Sequence, residues 1–345
     1  MTEQPVCLAQ VGVGYWGKNL LRNFANLPGV EMRMVCDQRP ETLTRTWNEH
    51  PGAIMTNRYE DVLENSDIEA VIIATQTPQH FEMARAALEA GKHVFVEKPM
   101  AQTASEAERL VALADAADRR LMVGHLLLYH PAFRYVEDLI RRGDLGDVYY
   151  LYSVRVNLGI IRQQENALES LAPHDLSVAL QFLGQRPVAI SAQGHAYLQP
   201  NIEDVVFATV FFEHGALAHL HTSWLDPHKV RKMTVVGSEK MAVLDDMATT
   251  EKVRLYDKGV AIQPGQARYA DYAEAMSIRD GDIHIPRINM QEPLRLECQH
   301  FIECIRTGAT PRSDGRNGLA VVRLLEAAQQ SLAHHGTTVT LPEPP

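Results

Sequence analysis

"VCLAQVGVGYWG", residues 6–17, decides how the first half of this chain folds. The apolar run 6–13 reads as a buried strand, and the pattern Gly12-x-Gly14-x-x-Gly17 closes it. KNLLRNFANLPG follows, with Leu20, Leu21, Phe24 and Leu27 at helical spacing and a Pro-Gly stop. Glycines alone are common in turns; set between a strand and a helix they acquire a specific chemistry. Gly12 permits the tight turn, Gly14 lets backbone approach a diphosphate, and Gly17 lets helix and strand pack closely. The diphosphate then rests on the helix N-terminus, where free N–H groups and the helix dipole favour negative charge. The next strand, EMRMVCD, ends in Asp37, twenty residues after Gly17. A carboxylate there accepts both hydroxyls of a ribose and repels a 2′-phosphate. The loop, with Tyr15 and Trp16 inside it, therefore reads as a site for NAD. Arg39, two residues on, is suited to a 2′-phosphate, so NADP stays open.

The alternation continues outward from this loop. EAVIIATQT, HVFVEK and RLMVGHLL read as strands, separated by the helices HFEMARAALEAG and SEAERLVALADAADR. Strands alternating with helices imply parallel pairing with right-handed crossovers, a Rossmann-type doubly wound parallel sheet of the α/β class over residues 1–125. Past that point the rhythm changes. DVYYLYSVRVNLG, PVAISAQGHAYL, DVVFATVFFEHG, ALAHLHTSWLD, RKMTVVGSE and KMAVLDDM read as strands, with EHG as a hairpin turn and one helix starting at PHDLSVALQFLG. Two further helices, PLRLECQHFIECIRTG and GLAVVRLLEAAQQSLAHHG, lie near the end, and the tail LPEPP reads as frayed. Residues 126–345 are thus expected to form an α+β domain for substrate binding, with a large, open, mostly antiparallel sheet covered by helices on one face. The uncovered face is a natural surface for a homodimer or homotetramer.

Composition narrows the function further. A net charge of -10 argues against a nucleic-acid partner, which calls for a basic face. No basic and apolar leader opens the chain, and no run of about 18 apolar residues crosses a membrane, so a cytoplasmic protein is expected. Cys7 and Cys36 lie in apolar runs, and the Cys298 and Cys304 spacing suits no zinc site, so reduced thiols and no metal are expected. His219 and His221 share one strand face as a metal pair would, but no third ligand accompanies them.

GKHVFVEKPM, 91–100, carries the chemistry. Pro99 has no N–H for a sheet ladder, so the strand must end there; it also biases Lys98 towards an extended backbone and permits a cis bond. Glu97 and Lys98 consequently stand at the carboxyl end of a buried strand, where doubly wound sheets bind ligands. GVGYWG, the ATQTPQH stretch and above all EKP resemble the Gfo/Idh/MocA family of NAD(P)-dependent oxidoreductases, and the likeness runs along essentially the whole chain. At that strand end Glu97 and Lys98 are expected beside the nicotinamide of the cofactor; the resemblance implies that Lys98 is also catalytic, near the reacting hydroxyl of the substrate, and that the loop of Thr75, Pro78 and His80 lies along the cofactor. It implies a second catalytic residue, His174, in ENALESLAPHDLSVAL, although Ser170 stands where the family commonly has an Asp. The same phrase is similar to the branch acting on sugars and nucleotide sugars, including UDP-N-acetyl-hexosamine and -hexosaminuronate 3-dehydrogenases.

Oxidising a secondary alcohol sends a hydride to the nicotinamide while the hydroxyl loses a proton. An imidazole titrates in the right range to take that proton, and an ammonium stabilises the developing alkoxide. His174 is expected as acid/base and Lys98 as the polarising group, with the exchanged assignment equally compatible with the chemistry. Arg155, Asn157, Arg162 and Asp175 are candidates for the substrate, since an Arg fork suits a diphosphate or carboxylate. Gly124-His125 ends the last strand of the first domain, and Trp224, His228, Lys229 and Arg231 are candidates for a sugar pocket or an oligomer contact. A non-catalytic NAD-binding regulator would need neither Lys98 nor His174. An NAD-dependent glycosidase would need both, and would differ in giving no net NADH.

Overall fold

The computed structural model describes residues 4–262 and 276–343; the extreme ends, on which the leader and tail readings partly fall, lie outside them. The first run of elements is β1 (Val6–Val11), α1 (Gly17–Ala25), β2 (Val30–Cys36), α2 (Pro40–Glu49), β3 (Ile54–Thr56), α3 (Tyr59–Glu64), β4 (Ala70–Ile73), α4 (Thr77–Glu89), β5 (His93–Val96), α5 (Ala104–Ala116) and β6 (Leu121–Val123). The six strands are all parallel in the order β3-β2-β1-β4-β5-β6. The order reverses between β1 and β4, which opens a crevice at their carboxyl ends. Both faces of the sheet are buried, which is why its strands are apolar without alternation. Val94 and Val96 of β5 join the cluster built on Ala84, Ala107 and Leu110 of α4 and α5. Phe95 faces the other way, edge-on to Phe24 at 5.7 Å and to Phe301 at 5.7 Å.

The second run is α6 (Pro131–Arg141), β7 (Val148–Val156), α7 (Ala167–Leu183), β8 (Pro187–His195), β9 (Val205–Phe212), β10 (Leu217–Ser223), β11 (Val230–Gly237), β12 (Met241–Asp245), β13 (Val253–Tyr256), β14 (Gly259–Ile262), β15 (Met276–Arg279), β16 (Ile283–His284), α8 (Pro293–Thr307), α9 (Gly315–Ala333) and β17 (Val339–Thr340). Nine of these strands form a mixed, mostly antiparallel sheet, β16-β13-β12-β11-β7-β10-β9-β8-β17, in which β7 and β10 pair in parallel. Alternation is clear on its central strands: Leu151, Ser153 and Arg155 of β7 are buried, while Tyr150 and Tyr152 are exposed. His219 bonds Thr209 at 2.9 Å and His221 stacks on Phe207 at 4.4 Å, so both histidines have ordinary neighbours on the exposed face. No group of three or more His, Cys, Asp or Glu placed to hold a metal occurs among the described residues. Nor does any described helix have the length and apolarity to cross a membrane.

The division into compact units differs from the contiguous 1–125 and 126–345. The first unit is Met1–His130 with Gln291–Glu326; the second is Pro131–Met290 with Ala327–Pro345. Periodicity shows that α8 has an apolar face but not which sheet receives it. Leu294, Cys298, Phe301 and Ile302 bury that face in the first unit, and Glu292 ties it to Arg22 and Asn23 of α1. The start of α7 also differs from the expected Pro173. Asn166 and Glu169 form a reciprocal capping box that starts the helix at Ala167, and burial of Ala167, Leu168 and Ala172 outweighs the cost of Pro173 in its interior.

Candidate active site

In the first unit, the glycine loop has the geometry a diphosphate needs. Gly12 has φ +88°, and a Cβ there would lie 2.6 Å from the Ala74 carbonyl oxygen. Gln10 Nε2 donates to the carbonyl oxygens of Gly12 and Gly17, at 3.0 and 2.7 Å, and so locks the turn from beneath. A Cβ on Gly14 would meet only the Arg39 guanidinium, at 3.8 Å, so this backbone is open to a ligand. No side chain caps α1; the Lys18 and Asn19 N–H groups donate to the Gly14 and Trp16 carbonyls, at 3.3 and 2.8 Å, so this helix start presents backbone and no side-chain oxygen to an anion. Asp37 accepts from the Val13 N–H at 2.8 Å and the Arg39 N–H at 3.0 Å, and pairs with Arg39 Nε at 3.1 Å. Burial alone would raise its carboxyl; the Arg39 guanidinium and the two backbone donors outweigh that and hold it below the usual range. Asp37 is therefore a fixed anion at the end of β2, with Arg39 already turned towards it. Tyr15 is exposed and Trp16 partly so.

Thr75 and Pro78 occupy the loop after β4 and the first turn of α4. His80 is buried, with Nδ1 2.8 Å from the Pro99 carbonyl and Nε2 3.2 Å from the Thr75 carbonyl. Burial, with the Lys98 charge assisting, pushes the ring towards its neutral form. Its ring staples the loop after β4 to the EKP turn from behind instead of facing outward. The Lys98–Pro99 bond is cis.

Around Lys98 several titratable groups are buried and perturbed. Glu97 Oε1 accepts the Trp16 indole N–H at 2.6 Å, and Oε2 accepts the Lys98 N–H at 3.2 Å. A Cβ on Gly124 would lie 2.9 Å from Glu97 Oε1, so glycine at the end of β6 makes room for this carboxyl. Burial pushes Glu97 up to about 7, against the Lys98 charge and both donors, which favour its ionised form. His125 follows Gly124 and is 1% exposed, with neither ring nitrogen hydrogen-bonded. Burial first, then the Lys98 charge, lowers it to about 3, so its imidazole is neutral.

His174 lies in the second unit, in the second turn of α7, beside Asp175. Asp175 takes a two-pronged bond from Arg155 of β7, Nε to Oδ2 at 2.9 Å and Nη2 to Oδ1 at 2.7 Å. Both side chains are almost fully buried and each is the other's counter-charge. Burial works against the Arg155 charge, and Asp175 more than restores it. Arg231, opposite Arg155 on β11, is lowered by burial and by Arg155, with Asp246 3.6 Å away as a counter-charge. Asn157 follows β7 and is partly buried, and Arg162 is exposed in the next loop, 3.4 Å from Glu165. Trp224 is a core side chain, 1% exposed. Sequence reading missed Glu297, a buried acid on α8 whose charge couples to Glu97.

Comparison with known proteins agrees with this geometry. The Gfo/Idh/MocA oxidoreductase family model for the NAD-binding Rossmann fold matches residues 7–125, and the model for the family's C-terminal domain matches residues 133–243. The chain belongs to the Gfo/Idh/MocA family. It is an NAD-dependent oxidoreductase; the open Gly14 backbone and the side-chain-free start of α1 suit a diphosphate, and the fixed Asp37 anion suits ribose hydroxyls as an acceptor, so the residues fit NAD. UDP-N-acetylglucosamine 3-dehydrogenase of Acidithiobacillus ferrooxidans is 28% identical, over 77% of this chain and 78% of that protein. The scyllo-inositol 2-dehydrogenase (NAD(+)) of Bacillus subtilis is 27% identical, over 90% of this chain and 89% of that protein. The solved structure of the A. ferrooxidans 3-dehydrogenase superposes with a TM-score of 0.79 at 23% identity, over 95% of this chain and 98% of that one, which is a likeness of fold.

Proposed function

We propose that this oxidoreductase exchanges a hydride between NAD and a ring secondary alcohol of a sugar, and that the sugar is a nucleotide sugar such as UDP-N-acetylglucosamine, reacting at C3. The observation that carries this reading is the cluster of perturbed titratable groups at the ends of β5 and β6, where Lys98 stands among Glu97, His125 and the indole of Trp16. Perturbed titratable groups at the carboxyl ends of Rossmann strands mark a reaction centre. When bound, NAD supplies the hydride acceptor.

The chain's own part is proton handling and orientation. His174 takes the hydroxyl proton, and Lys98, as a cation, stabilises the oxygen as negative charge develops on it. Arg155 and Asp175 hold the His174 turn of α7 against β7 and do not themselves touch substrate. Asn157 and Arg162 contact the sugar or its diphosphate. The exposed sheet face bearing Tyr150, Tyr152, Phe207 and Leu217 is the surface through which the protein forms a homodimer or homotetramer, in the cytoplasm, where its four free thiols remain reduced.

A screen of nucleotide sugars and free sugars for NADH appearance tests the reading. NADH forming with a nucleotide sugar supports it. NAD binding without turnover of any sugar contradicts it and favours a regulator.

A further inference from the structure

The first unit buries a second carboxyl near Glu97 that the proposed reaction does not use. On one face of the parallel sheet, Phe24 of α1, Phe95 of β5 and Phe301 of α8 meet edge-on, with ring centroids 5.7 to 6.2 Å apart. The layer above is polar. Trp16 lies two turns before Phe24, Glu97 two residues after Phe95, and Glu297 one turn before Phe301. Helical and strand periods therefore put all three on the faces that carry the phenyl rings, one step nearer the carboxyl ends of the strands.

In that layer Trp16 Nε1 donates to Glu97 Oε1 at 2.6 Å. Glu297 is 1% exposed, and its Oε1 has no hydrogen-bond partner. An ionised carboxylate so placed would be strongly destabilising, because that oxygen is closed off from bulk solvent and no protein donor reaches it. Two carboxyls close enough to repel cannot both ionise at neutral pH, so the second proton stays.

We propose that Glu97 and Glu297 titrate as one charge-coupled unit, with Glu297 kept as a neutral acid and the single negative charge on Glu97, where it holds the Trp16 indole and the Lys98 backbone. Glu297 is a positioning residue that reaches Lys98 through Glu97. The direction of titration agrees: burial first, and then the Glu97 charge, raises Glu297 well above the usual carboxylate range. Four other groups bear on the pair. Lys98 favours the Glu97 anion; Cys298 of α8 has its thiol pushed well up by burial first and then by both carboxyls; the Tyr129 hydroxyl is pushed up by burial first and then by Glu297; His125, at the end of β6, is neutral. Below about pH 7 the unit takes up a second proton, and Trp16 and Lys98 lose their anionic acceptor. This goes beyond the sugar-oxidising reading and needs no substrate to test.

Infrared difference spectra of the full-length protein, wild type minus Glu297→Gln, at about pH 8 read the retained proton directly, since ordinary carboxyls are ionised there. A protonated-carboxyl carbonyl band, shifted in D2O and missing in the variant, is the expected result. No such band in the wild type overturns the proposal. The indole gives a second readout that does not depend on the Glu297→Gln variant folding. The Trp16 fluorescence, taken as wild type minus Trp16→Phe, should change through a single transition near pH 7, and Glu97→Gln should abolish it. A Trp16 signal flat across that range also overturns the proposal.

Discussion

Two buried charge clusters accompany the two proposed proton-handling residues, and they are built to opposite rules. Beside His174, Arg155 and Asp175 form a two-pronged fork in which two guanidinium donors meet the two carboxylate oxygens. Beside Lys98, Glu97 and Glu297 are two acids in one layer, and His125 has neither nitrogen bonded. A bidentate buried pair fixes geometry. An undersatisfied cluster costs stability and in exchange leaves protonation states that shift near neutral pH. The second unit thus specifies position, and the first unit specifies charge.

The comparison breaks first at the two residues themselves. Lys98→Ala and His174→Ala should each lower turnover by about 10² to 10⁴-fold, the usual worth of a positioned proton-transfer group, while leaving NAD affinity nearly unchanged. Steady-state rates beside a fluorescence titration with NADH would check both halves. Next in size is the two-pronged fork. Asp175→Ala leaves a buried guanidinium uncompensated and should cost about 3–5 kcal/mol of stability, read as a lower unfolding midpoint. A loss below about 1 kcal/mol, the level of an exposed ion pair, would remove the contrast between the clusters.

Asp37→Ala should weaken NAD binding by about 10- to 100-fold, equivalent to one or two charge-assisted hydrogen bonds, and should narrow the preference over NADP because it frees Arg39. Titration calorimetry with both dinucleotides would show it.

Glu297→Gln should change the pH dependence of stability more than stability itself. Glu297 is raised in the folded protein, so the native state keeps a proton that the unfolded chain releases above about pH 4.3. Its stabilising contribution is present at low pH and is lost as pH rises, by up to about 1.4 kcal/mol per pH unit. Glutamine has no proton to lose, so denaturant midpoints for the variant should fall less steeply between about pH 5 and 8. Parallel slopes for the two proteins would mean that Glu297 is ionised.

The glycine loop was legible because Gly12, Gly14 and Gly17 answer a local geometric demand, and the φ of Gly12 shows it. The EHG turn was legible for the same reason: Gly215 takes φ +86° where the hairpin closes. The start of α7 was misread because proline suits a first turn, although Asn166 and Glu169 spell out the capping box that begins it earlier. Glu297 was hidden because an acid in an amphipathic helix reads as solvent-facing. Its spacing from Leu294 and Phe301, three and four residues away, was the signal that it sits on the buried face. The return of α8 to the first sheet was not legible, since one apolar face fits many partners.

The central claim is that a ring carbon of a nucleotide sugar passes its hydride to NAD. UDP-N-acetylglucosamine deuterated at C3, incubated with the protein and NAD, tests it most directly through the mass of the reduced cofactor. Deuterium recovered in the NADH is the predicted result. Unlabelled NADH would move the reaction to another carbon, and no NADH from any nucleotide sugar would contradict the account.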